Sequence, residues 1–95
     1  MRADYDSEAN TLEIELERSE TLSGSDDTTH PRAIVHFFDG RPVVLDILNA
    51  NDGLDAPLRA VARAYGLDRE ALLAAGRSAL AAPDRRVDVS VGARA

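Results

Sequence analysis

The chain has 95 residues, no cysteine, only four aromatic residues and a formal net charge of −6. A chain of this length makes one small domain with a thin core, burying about 60–65% of the surface its unfolded form exposes. The missing cysteines exclude disulfides, thiolate catalysis and Cys-ligated zinc, and no apolar run approaches the roughly 20 residues of a membrane span.

The first ten residues, MRADYDSEAN, hold a short mixed run and then the turn formers Asp6, Ser7 and Asn10. They contain no apolar signal-peptide region, so a soluble cytoplasmic protein is expected. The stretch TLEIELE, Thr11 to Glu17, alternates without a fault. Leu12, Ile14 and Leu16 share one side; Glu13, Glu15 and Glu17 share the other. This predicts a hairpin with strands at about 2–5 and 11–17. Residues 18–31, RSETLSGSDDTTHP, lack apolar periodicity and have loop composition, which predicts the most mobile internal stretch.

AIVHFF (33–38) and PVVLDIL (42–48) flank Asp39-Gly40, a strong hairpin signal. Both sides of these two strands are largely apolar. Ala33, Val35 and Phe37 oppose Ile34, His36 and Phe38; Val43, Leu45 and Ile47 oppose Val44, Asp46 and Leu48. A strand apolar on both sides is expected to be covered on both.

The cover for one side follows NANDG (49–53). Leu54, Leu58, Val61, Ala62 and Tyr65 recur at helical spacing. Asp55 is the expected N-cap, Pro57 suits the first turn, and Gly66 is placed to end the helix. Asp68 is expected to cap a second helix over about 69–81, with Leu72, Leu73, Ala75, Ala79 and Leu80 on its apolar side, and Pro83 and Asp84 to stop it. Gly76 inside that helix costs about 1 kcal/mol relative to Ala, which a close approach to a neighbouring element would justify. RVDVSV (86–91) alternates again and predicts a final half-buried strand at a sheet edge, followed by a frayed GARA tail.

Charge is unevenly spread. Residues 1–55 hold 4 Arg against 13 acids, and residues 56–95 hold 7 Arg against 4 acids. The acidic half argues against a broad nucleic-acid surface, because phosphate neutralisation supplies most non-specific affinity. It suits a protein partner with a basic surface.

YDSEANTLEIEL together with DGRPVVLDILNA resembles the bacterial family called domain of unknown function 2283. Tyr5, Asp6, Glu8, Ala9, Asn10, Leu12, Ile14 and Leu16 fit its first motif. Gly40, Val43, Leu45, Asp46, Ile47 and Leu48 fit its second. The likeness covers residues 2–50, departs from the family at Glu13 and Val44, and leaves the helical half outside. It implies a small β-meander and brings no activity.

Four constellations bear on chemistry. The Glu13, Glu15, Glu17 row would hold a divalent cation only if other oxygens converged on it, so the solvated side of a strand is the expected reading. His30 and His36, with Asp39 and Asp46, imitate a metal or acid–base set; a structural or interface role is expected for His36. No serine stands in a nucleophile elbow, and NANDGLD fails as a calcium loop because Leu48 and Ala50 would occupy ligand positions. AVARAYGLDREALLAAG has the small–Gly–apolar spacing of a helix-turn-helix at Ala62, Gly66 and Leu72, with Arg69 and Arg77 as its only basic reading residues.

The expected fold is therefore α+β: an antiparallel meander of four to five strands packed by two helices within a single domain, with the last strand at 86–91. The expected function is a non-enzymatic interaction module without cofactor or metal, forming a homodimer. Its interface is expected at Val35, Phe37, Val44 and Leu48, or at Val87 and Val89 if pairing is edge to edge. The alternatives are a DNA-binding regulator acting through Arg69 and Arg77, and a small hydrolase or metal-dependent enzyme.

Overall fold

The computed structural model describes residues 1–89. Among these residues six strands form one antiparallel sheet: β1 (Arg2–Asp6), β2 (Thr11–Glu15), β3 (Gly24–His30), β4 (Ala33–Phe38), β5 (Arg41–Leu48) and β6 (Arg86–Asp88). Two helices, α1 (Asp55–Tyr65) and α2 (Arg69–Ala81), follow β5 and precede β6. The order across the sheet is β3-β4-β5-β2-β1-β6. The meander β3-β4-β5 joins the β1–β2 hairpin along β2, and β6 returns after the helices to flank β1.

Alternation decides which side of each strand meets the helices. Ala3, Tyr5, Leu12, Ile14, Ala33, Val35, Leu45 and Ile47 are buried on the helix side, against Leu58 and Val61 of α1 and Leu72, Ala75 and Ala79 of α2. A helix layer on one side of an antiparallel sheet is the stable two-layer solution for such a pattern.

The Asp39-Gly40 turn is as expected: both residues have positive φ, 53° and 78°, the conformation a two-residue hairpin needs to match strand twist. Gly66 ends α1 at φ 67°. Asp68 caps α2, accepting from the Ala71 N–H at 3.2 Å. Gly76 is the contact point of α2 with its neighbours. A Cβ there would stand 2.8 Å from Leu54 Cδ1 and 3.1 Å from Leu12 Cδ2, so the expected close approach is present.

Four expectations need correction. The sheet has six strands, not four to five, because residues 24–30 form β3 where a mobile loop was expected. β3 is an edge strand, exposed along most of its length, and it slips register between Asp26 and His30. An edge strand with no buried side carries no apolar phase to be read. Second, β2 ends at Glu15, not Glu17. Leu16 and Glu17 both donate their N–H groups to the Val43 carbonyl, so two residues meet one and the strand turns away. Third, Asp55 is the first residue of α1 and not its cap; Leu54 precedes it without a side-chain bond, and Asp55 pairs with Arg59 one turn on. Fourth, β6 is three residues long; Ser90 and Val91 of the expected 86–91 strand lie outside the described residues, as does the GARA tail.

The polar residues of the β1–β2 turn and Arg32 have structural work here. Tyr5 donates its hydroxyl to Asn10 Oδ1 at 2.8 Å, and the same oxygen accepts from the Asn51 N–H at 3.0 Å. Asp6 accepts from the Glu8 and Ala9 N–H groups at 3.0 Å, fixing the β1–β2 turn. Arg32 donates to the carbonyls of Leu48, Asn49 and Gly53 and so holds the loop into α1.

Candidate functional site

Both helices lie on one side of the sheet, so the other side is open. Strand register arranges its side chains in two parallel rungs. One runs Ser25, His36, Val44, Glu15, Arg2, Asp88. The next runs Ile34, Asp46, Glu13, Asp4, Arg86. Leu48 lies opposite Thr11 beyond the second rung. Side chains in neighbouring strands of a rung stand about 5 Å apart, so each rung is a continuous row across the sheet.

The rungs divide the open side into two halves. The β4–β5 half presents Ile34, Val44 and Leu48, all half-buried by their neighbours and, among the described residues, not covered by any helix. Its two polar groups satisfy each other: His36 Nε2 lies 2.8 Å from Asp46 Oδ2, with 22% and 29% of the side chains exposed. The β2–β1–β6 half is ionic. Arg2 Nε is 3.1 Å from Asp88, and Arg86 Nε is 3.6 Å from Asp4.

Glu13 stands between two other carboxylates, Asp4 on β1 and Asp46 on β5. Partial burial, then Asp4 and Asp46, push its carboxyl above the ordinary range; Arg86 acts weakly in the other direction. Among the described residues neither the Glu13 nor the Glu15 side chain has a hydrogen-bond or ion-pair partner. Glu17 leaves the row and pairs with Arg41 at 3.0 Å. The alternating acids are thus the uncovered side of the sheet, with Glu13 in a crowded position.

A raised carboxyl in the folded state means that the folded chain binds its proton more readily than the unfolded chain. The penalty on folding is fully present at neutral pH and is relieved as pH falls through the folded value. Glu13→Gln removes the charge and is expected to stabilise the fold by about 0.5 kcal/mol at neutral pH. The gain should shrink in urea titrations near pH 4.

The remaining expected residues separate. Val35 is fully buried beneath the helices, and Phe37 packs edge to face on Tyr65, ring centroids 5.4 Å apart. Neither reaches the open side, so the interface expected at Val35, Phe37, Val44 and Leu48 has only its last two members on one surface. The alternation of β4 explains this, since Val35 and Phe37 share the Ala33 side. Val87 lies opposite Ala3 on the helix side and packs against the core, as does Val89, whose N–H donates to the Met1 carbonyl at 2.8 Å. His30 is the last residue of β3, its Nδ1 accepting from the Arg32 N–H at 3.1 Å, and Asp39 sits in the hairpin turn far from Asp46. Arg69 pairs with Glu70 at 3.0 Å and approaches Asp55 at 3.8 Å. Arg77 is exposed beside a shallow groove floored by Leu54, Leu73 and Leu80. Among the described residues no group of three or more histidine and acidic side chains is arranged to hold a metal ion, and no helix is long and apolar enough to cross a membrane.

One cluster escaped the sequence reading. Asp26 on β3 accepts from the Thr28 N–H at 2.8 Å, from Thr28 Oγ1 at 2.6 Å, from Thr29 Oγ1 at 3.2 Å and from the Tyr65 hydroxyl. These bonds, Thr28 first and Tyr65 second, hold the Asp26 carboxyl well below the usual carboxylate range and push the Tyr65 hydroxyl up. The cluster ties the edge strand to α1. Tyr65→Phe is expected to move the Asp26 titration upward toward the ordinary range, followed by the carboxyl carbon shift in NMR. The only signal in the sequence was Asp-Asp-Thr-Thr, which turn chemistry explains equally well. Set against family models, curated proteins and solved structures, the chain matches none.

Proposed function

We propose that this chain is a non-enzymatic interaction module that pairs with a second copy of itself through the open side of its sheet, in the cytoplasm. The observation that carries the reading is the row of Ile34, Val44 and Leu48 on a sheet side that no helix covers. An antiparallel sheet that meets water on one side ordinarily alternates to polar residues there; β4 and β5 place Ile34, Val44 and Leu48 there beside the mutually paired His36 and Asp46. Sheet-on-sheet packing is the arrangement that buries such a side, with strands of the two sheets within about 30° of each other.

Charge placement favours a second copy as the occupant. β4 brings Ile34 and His36 to the open side and no carboxylate. A two-fold axis parallel to the strands along β5 lays β2 of each copy, with Glu13 and Glu15, over β4 of the other. The acidic halves then do not meet, and Asp46 on β5 is held by His36. The likeness of residues 2–50 to the 2283 family agrees with the meander and adds no activity to this reading.

NMR on dilution tests it. The methyl resonances of Ile34, Val44 and Leu48 are expected to shift with protein concentration while those of Val35, Leu45 and Ile47 stay still. Concentration-independent spectra for both sets would contradict self-association through this side.

A further inference from the structure

A stable interface needs about 800 Å² from each partner. The apolar strip of β4 and β5 is two strands wide, roughly 10 Å, and about 17 Å long, so it supplies only a fraction of that area. A second copy seated on it must also cover β2 and part of β1, the strands that carry Glu13, Glu15 and Asp4. Glu13 then loses the water it still has.

Among the described residues, every charged group of its own chain that faces Glu13 can be named. Asp4 faces it from β1 and Asp46 from β5, Glu15 is its neighbour on β2, and Arg86 reaches in from β6. Arg86 already has Asp4 and Asp46 already has His36; the helices lie on the other side. Among the described residues no cation of its own copy is left to neutralise Glu13, and the His36 that the partner subunit's β4 brings over it is already held by Asp46. A carboxylate buried without a partner takes up a proton instead.

Resting on the self-association described above, we propose that pairing of two copies is coupled to proton uptake by Glu13, at the centre of the Asp4–Glu13–Asp46 rung, so that the dimer tightens as pH falls from neutral toward about 5. The sign follows from linkage. The paired state has the higher carboxyl affinity for protons, so association is weakest where both states are ionised and strengthens as pH falls through the paired-state value. Glu13 stands at the centre of the rung, between Asp4 and Asp46, so its removal relieves the crowding of like charge.

Sedimentation at about pH 7.5 and about pH 5.5 reads the effect. The dimer Kd of the unaltered chain is expected to fall at least tenfold between the two. Glu13→Gln is expected to pair tightly at both values and change less than about threefold. Glu8→Gln, which removes one charge from the exposed β1–β2 turn, is expected to keep the full dependence, which separates the rung from net charge. Histidine, the other side chain type that changes charge in this range, is separated by Glu13→Gln itself, which leaves His36 in place. A pH-independent Kd in the unaltered chain, or full dependence retained in Glu13→Gln, would overturn the coupling. Monomers at both pH values for the unaltered chain and Glu13→Gln alike would overturn the self-association itself.

Discussion

Leu12→Ala is expected to lower the unfolding free energy by about 3–5 kcal/mol. Leu12 is fully buried in β2, between β1 and β5, and its Cδ2 lies close under Gly76 of α2. Removing it opens a cavity where sheet and helix are held at their closest approach, and the backbone around it has little freedom to collapse. A chain of 95 residues has a total stability of about 5–14 kcal/mol, so the loss is a large share of the whole. At about 4–8 °C per kcal/mol, the melting temperature is expected to drop by more than about 12 °C. Leu22→Ala is the control, since Leu22 is 49% exposed and its loss is expected to cost less than about 0.5 kcal/mol. Equal melting temperatures for the two variants would mean that the helix–sheet core is misplaced.

Val44→Asp is expected to weaken self-association at least a hundredfold, about 3 kcal/mol. Val44 sits in the rung between His36 and Glu15, at the middle of the proposed contact. A carboxylate there is desolvated on pairing and stands beside Glu15, which adds like-charge repulsion. The single chain is affected far less, because this side of the sheet supports no other element. Val44→Arg gives an independent check: its charge is placed next to Glu15, which preserves the fold, yet it too would be buried on pairing. Both variants are expected to fold, and both are expected to pair weakly.

Strand phase was the most legible feature of the sequence. TLEIELE assigned Leu12 and Ile14 to the core and Glu13 and Glu15 to the open side, and the structure places them so. The two helices and the Asp68 cap were readable for the same reason: burial on one side forces a periodic apolar signal, and helix ends require particular residues. β3 was not readable. A solvent-exposed edge strand buries almost nothing, so its sequence obeys turn and solubility chemistry only. Val35 and Phe37 were misplaced for a different reason. The two apolar sides of β4 are equivalent in sequence, and only the position of the helices shows that Val35 and Phe37 face inward while Ile34 faces out. Register across strands is likewise invisible in one strand, which is why Glu13, met as one of three acids in a row, proved to be crowded by Asp4 and Asp46 from its neighbours.

Sedimentation equilibrium of the unaltered chain beside Val44→Asp, both at mildly acidic pH and over a wide concentration range, is the most direct test of the open sheet side as a contact surface. The unaltered chain should approach twice its monomer mass with rising concentration, and Val44→Asp should stay at the monomer mass throughout. An unaltered chain that remains monomeric at every concentration, or a folded Val44→Asp variant that dimerises equally well, would contradict the account.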